Sequence, residues 1–168
     1  MLPHLSALRE AASRAEVTAP DVSGWSVGMH VQHCCLTMIG VCRLLVDSEP
    51  PPPARRFSLL TTLVFLVGRI PRGRAQAPEQ VVPSAGVSAG ELAALLDESE
   101  RLLEAARASR ADCWFQHCRF GTLNRDQTLK VSGLHHGHHS RNISELRAAA
   151  GPGTRCSHEG TGGGGCSE

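Results

Sequence analysis

Nine histidines occur in this chain of 168 residues, and they are clustered rather than scattered. One run, His135-His136-Gly137-His138-His139, lies in a stretch with helical periodicity. A helix turns about 100° per residue, so His135 and His139 stand one above the other on one face. Thr128, Val131, Asn142 and Leu146 fall on roughly the same side, His138 lies at its edge, and His136 is expected to point mostly away. Two histidines four residues apart on a core-facing stripe let one helix give two imidazoles to one metal ion. Gly137 inside that helix costs about 1 kcal/mol relative to alanine, and close approach of a ligand or a neighbouring helix is one account of its presence.

A second cluster is Trp25-Ser26-Val27-Gly28-Met29-His30-Val31-Gln32-His33-Cys34. A third neutral imidazole from this segment would complete a three-histidine centre and leave one position open to water or a substrate heteroatom, the catalytic rather than the structural arrangement. Both His30 and His33 are candidates. The apolar seam through Val27, Val31, Cys34, Met38, Val41 and Leu45 lies closer to His30. Leu36, Gly40 and Leu44 make the His33 face apolar too, so periodicity separates the two only weakly. A single histidine in such a setting is more often a solvated or satisfied core residue than a ligand. The metal reading rests on the pair and the second cluster together.

These side chains must be held by helices. Residues 5–17 read as a short amphipathic helix, and Ser26 caps a long one running to about Asp47. The prolines at 50–53 end that region. An apolar helix is expected from about Phe57 to Ile70, then a Pro/Gly/Arg-rich loop from Pro71 to Gly86. Ser88 with Glu91 is a capping-box signature opening a helix over 89–108, with Leu92, Leu95, Leu96, Leu102, Leu103 and Ala106 as its stripe. A loop around Cys113 to Gly121 follows; Asn124 with Gln127 then opens the last helix, which runs to about Ala149. No convincing period-2 stretch is present, and aromatics are 4% with no tyrosine, so the expected class is all-α, an antiparallel four-helix bundle. Residues 1–150 form the expected domain; 151–168, with seven glycines, read as a disordered tail.

Charge and cysteine usage narrow the class further. Lys plus Arg is 17 against 16 Asp plus Glu, which argues against a dedicated nucleic-acid binder. The longest apolar run, Leu59 to Val67, is far short of the roughly 20 residues a bilayer span requires, so no membrane association is expected. Seven cysteines without regular spacing are not a disulfide framework; Cys34, Cys35, Cys42 and Cys113 read as small buried hydrophobes, and a cytoplasmic location is expected.

The segments 25–33, 120–123 and 135–139 resemble the DinB-like superfamily of metal-binding four-helix bundles. More specifically, they resemble a branch with W-S-x-G-x-x-x-x-H in its first long helix, here Trp25 to His33. Its later signature is F-G-x-L followed by H-x-x-H-H, here Phe120-Gly121-Thr122-Leu123 and His135 to His139. Gly73 and Pro78 fit its connecting loop, and the resemblance covers about residues 22–146. Carried over by position, it implies metal ligands at His33, His135 and His139, and a divalent ion, zinc or nickel, as cofactor. Cys34, Thr128 and Ser140 depart from the usual residues at their positions. The superfamily includes thiol-dependent transferases and an isomerase that use low-molecular-weight thiols such as bacillithiol or mycothiol. The branch itself is of unknown function and has no activity to carry over; from the superfamily the first expectation is a metal-dependent transferase or hydrolase acting on a small molecule. The alternative is a non-enzymatic metal-binding or interaction bundle, and a homodimer is left open. Gln32 and Asn142 are candidate contacts behind the ligands or to substrate.

Weaker signals are Cys156-Ser157-His158 with Cys166 as a soft metal site, and a basic rim of Arg55, Arg56, Arg69, Arg72 and Arg74. Glu91, Glu98 and Glu100 are general-base candidates, with surface roles the default. No P-loop, zincin or nucleophile-elbow motif occurs.

Overall fold

The structure is a computed structural model that describes residues 3–49, 59–68 and 78–151. Among the described residues five helices follow in order: α1 (Pro3–Ala12), α2 (Val27–Val46), α3 (Leu59–Val67), α4 (Ala89–Ala108) and α5 (Arg125–Ala149). A two-stranded antiparallel hairpin, β1 (Trp114–His117) and β2 (Gly121–Asn124), precedes α5, and a single 3-10 turn, Glu79–Val81, precedes α4. The tail from 152, the proline run, Phe57, the five arginines of the basic rim and the Cys156/His158/Cys166 cluster all lie outside the described residues.

Local chemistry sets the helix starts. The Ser26 hydroxyl accepts the Met29 N–H at 3.2 Å. Ser88 and Asn124 each form complete capping boxes with Glu91 and Gln127, which satisfies backbone donors that a first helical turn leaves unpaired. Gly151, at φ +67°, follows the end of α5 in the left-handed conformation that glycine adopts without strain.

The main core is shared by α1, α2, α4 and α5: Leu5 and Leu8 meet Val31, Met38 and Leu45, with Leu92, Leu96, Leu103, Ile143 and Leu146. α2 is central and touches all three of the others. It is also the one described helix long and apolar enough by composition to span a bilayer, but 50% of that window is buried inside the fold, as suits a core helix. α3 stands apart. Val64 is buried with Phe120, Leu123 and Val131 in a second cluster, while Leu63, Leu66 and Val67 remain exposed.

Two expectations need correction. The first helix ends at Ala12 rather than near 17, because the Ala15 and Val17 carbonyls are drawn out to accept the Gly28 and Val27 N–H groups at 2.8 and 2.9 Å. The expected loop at 113–121 contains β1 and the hairpin turn. Strands of four residues are too short to display a period, and tertiary anchors hold them: the Trp114 N–H donates to Ser48 Oγ at 2.9 Å and its indole N–H to the Glu49 carbonyl at 2.8 Å. Gly121, at φ +72°, closes the turn.

Candidate metal centre

α2 and α5 run antiparallel, for residue numbers fall on one as they rise on the other. His30 meets His139, His33 meets His135, and the Cys34 carbonyl meets His136. The first turn of α2 is seated by a close approach: a Cβ on Gly28 would lie 2.8 Å from the Ala15 Cβ. Only glycine admits that contact, and it brings the 13–25 segment, with Ser23 and Trp25, over the histidines.

Three ring nitrogens converge. His135 Nε2 lies 3.3 Å from His33 Nε2 and 3.2 Å from His139 Nε2, and the ligand atoms of all three residues fall within 4.8 Å of one another. Ligand nitrogens about 2.0–2.1 Å from a tetrahedral ion stand roughly 3.3 Å apart, so two of the separations match such an edge. The donor set is chemically apt. The His33 Nδ1–H donates to the Val81 carbonyl at 2.6 Å, which leaves its Nε2 lone pair facing the cluster. A proton on His135 Nε2 would serve one facing lone pair well; a cation serves all three nitrogens at once. His33 and His139 are buried and His135 is nearly so. The His135 Nδ1 has no hydrogen-bond partner among the described residues.

Electrostatics favour neutral imidazoles, the form that binds metal. Burial, helped by neighbouring histidines, pushes His135 down to about 3 and His30 to about 4. Burial lowers His139 further still, with His135 and His33 adding to it. In His33 burial again lowers the pKa, partly opposed by its bond to Val81. Among the described residues, the neighbours that add to burial in disfavouring protonation of His30, His135 and His139 are other histidines, His138 and His117 included. Three neutral donors would leave a divalent ion's charge uncompensated, which favours an anionic donor at any remaining position.

Trp25 covers the cluster, with ring centres 5.0 Å from His33, 5.3 Å from His30 and 6.1 Å from His139, nearly parallel to the last. His138 meets His139 edge-on at 5.2 Å. On the hairpin, His117 Nδ1 accepts the Arg119 N–H at 3.0 Å.

Among the described residues it is His33 that groups with His135 and His139, whereas His30, also buried, stands behind His139, Nδ1 to Nδ1 at 2.9 Å. His136 does not point away. It is fully buried, with Nε2 3.2 Å from the Cys34 carbonyl, because the buried arc of α5 runs through Thr128, Ser132, His136, His139 and Ile143. Gln32 is held by Ser84, whose N–H donates to its Oε1 at 2.8 Å, so it pins the 78–84 segment to α2. Asn142 is half-buried one turn beyond the pair. The glutamates serve the fold: Glu91 in its capping box, Glu98 between Arg43 and Arg101, Glu100 beside Arg9. Sequence reasoning missed the roles of Ser23, the Val81 carbonyl and the stacked Trp25. Only the tryptophan carried a signal, its place in the W-S-x-G motif.

Comparison with known proteins adds one finding. The profile of the DinB superfamily matches residues 2–143. No curated protein and no solved structure matches the chain.

Proposed function

The chain belongs to the DinB superfamily, and from that premise we propose that His33, His135 and His139 hold one divalent ion, zinc or nickel, in a metal-dependent transferase or hydrolase. The observation that carries this reading is the convergence of three imidazoles, two buried and one half-buried, on one point. Imidazole ligands suit both ions. Bound there, the ion would supply Lewis acidity that favours the deprotonated form of a thiol or a water. Among the described residues no carboxylate is among the groups that shift the three rings, which supports an anionic partner, and a low-molecular-weight thiol is the substrate-side partner we favour.

The chain's own residues have distinct parts in this. His33 is oriented by the Val81 carbonyl, Trp25 screens one side of the cluster from water, and His138 is a half-buried imidazole beside His139, available for proton exchange. Free thiols at Cys34, Cys35, Cys42, Cys113 and Cys118 support a reducing, cytoplasmic setting.

A second reading, a metal-binding bundle without turnover, is favoured by the stacked Trp25, which closes one approach to the rings. Metal analysis of protein purified without a histidine tag tests both. About one equivalent per chain is expected, falling sharply in His33→Ala; less than about half an equivalent in the wild type sinks both readings. Adding a small thiol to cobalt-loaded protein then separates them. A sulfur-to-cobalt absorption band supports the enzyme, and an unchanged spectrum supports the bundle.

A further inference from the structure

We infer that His30, backed by Ser23, is the positioning residue that makes His139 competent to bind metal. The inference rests on the three-histidine reading above and goes beyond it, for His30 itself is no ligand. His139 turns Nε2 toward His135 and Nδ1 toward His30, whose Nδ1 is 2.9 Å away. The other His30 nitrogen, Nε2, lies 3.0 Å from Ser23 Oγ, which also accepts the Trp25 N–H at 3.1 Å.

A neutral imidazole carries one ring proton. For His139 Nε2 to offer its lone pair to an ion, that proton must sit on Nδ1, where it donates to His30 Nδ1. The proton of His30 is then on Nε2 and donates to the Ser23 hydroxyl oxygen. Every position along this chain is satisfied by one assignment. The opposite polarity is also possible: Ser23 donates to His30 Nε2, His30 donates from Nδ1, and the His139 proton is displaced to Nε2, where it blocks coordination. Loading with metal therefore selects one direction of the chain, and His30 supplies the acceptor that direction requires. Without an acceptor, the buried His139 Nδ1–H would be left unpaired. The ligands are supported unequally: His33 leans on a backbone carbonyl, His139 on this side-chain pair, and His135 Nδ1 on nothing among the described residues.

The test compares cobalt affinity, measured by competition with a chelator, in wild type, His30→Leu, His30→Asn and Ser23→Ala. Leucine keeps bulk without an acceptor; asparagine places its Oδ1 near the lost Nδ1. His30→Leu is expected to weaken binding by about 10- to 100-fold, with His30→Asn restoring most of it and Ser23→Ala losing less than leucine does. A spectroscopic readout needs no variant. In zinc-loaded, 15N-labelled wild type, a through-hydrogen-bond coupling should join His139 Nδ1 to His30 Nδ1, with the proton on the former. Loss of that coupling, a proton on His139 Nε2, or full affinity in a folded His30→Leu overturns the inference. Equal loss in the leucine and asparagine variants also overturns it, because ring bulk would then be what matters. A wild type that binds no cobalt fails the metal reading itself, and the two failures are thus distinct.

Discussion

α2 has two very different neighbours. Toward α4 it meets Leu92, Leu96, Leu102 and Leu103, and the one buried polar side chain α4 brings, Ser99, is satisfied by the Leu95 carbonyl at 2.7 Å. Toward α5 the seam is polar: His30 meets His139, His33 meets His135, and the Cys34 carbonyl meets the buried His136. Apolar burial contributes roughly 25 cal/mol per Å², while buried polar groups at best recover what their desolvation costs. The first seam therefore stabilises the fold, while the second contributes far less to it.

That contrast can be broken from either side. The largest expected effect is on the dry seam: Leu96→Ala, at a fully buried position, should destabilise by about 2–5 kcal/mol, read by denaturant unfolding, with zinc affinity unchanged. On the polar seam, His139→Ala should abolish stabilisation by zinc, which for the wild type at a hundredfold excess over Kd amounts to about 2.7 kcal/mol; a melting temperature that still rises with zinc would remove α5 from the site. Gly28→Ala should cost about 1–3 kcal/mol, since its Cβ would crowd Ala15, and should also weaken metal binding by shifting the segment that carries Ser23 and Trp25. A further effect is on the metal-free protein as pH is lowered. Above the ordinary imidazole value of 6.5 the rings are neutral whether folded or not. Below it the unfolded chain takes up protons that the buried rings refuse, so stability falls with pH until His30 titrates near 4 and His135 near 3. A flat profile from pH 7 to pH 4, followed by circular dichroism, would contradict neutral, buried imidazoles.

Much of this was legible locally. The boxes at Ser88 and Asn124 and the cap at Ser26 involve groups within three residues, so the chain announces them before it folds. The stacking of His135 over His139 follows from helix geometry alone. Choosing between His30 and His33 was beyond periodicity, because α2 is wrapped on several sides and both histidines are buried. His136 misled for a related reason: α5 buries an arc wider than the stripe its hydrophobic residues mark, since the seam it shares is itself polar. The hairpin escaped notice because its anchors, Ser48 and Glu49, are distant in sequence.

The sequence by itself determined the helices, their caps and one pair of imidazoles, since these depend on contacts within a turn or two of backbone. Beyond the family resemblance, only the tertiary structure places His33 within reach of His135 and His139 and sets His30 against His139 from behind. Both outcomes turn on how α2 is rotated against α5, and that rotation is set by packing across the whole bundle, including the contact of Gly28 with Ala15.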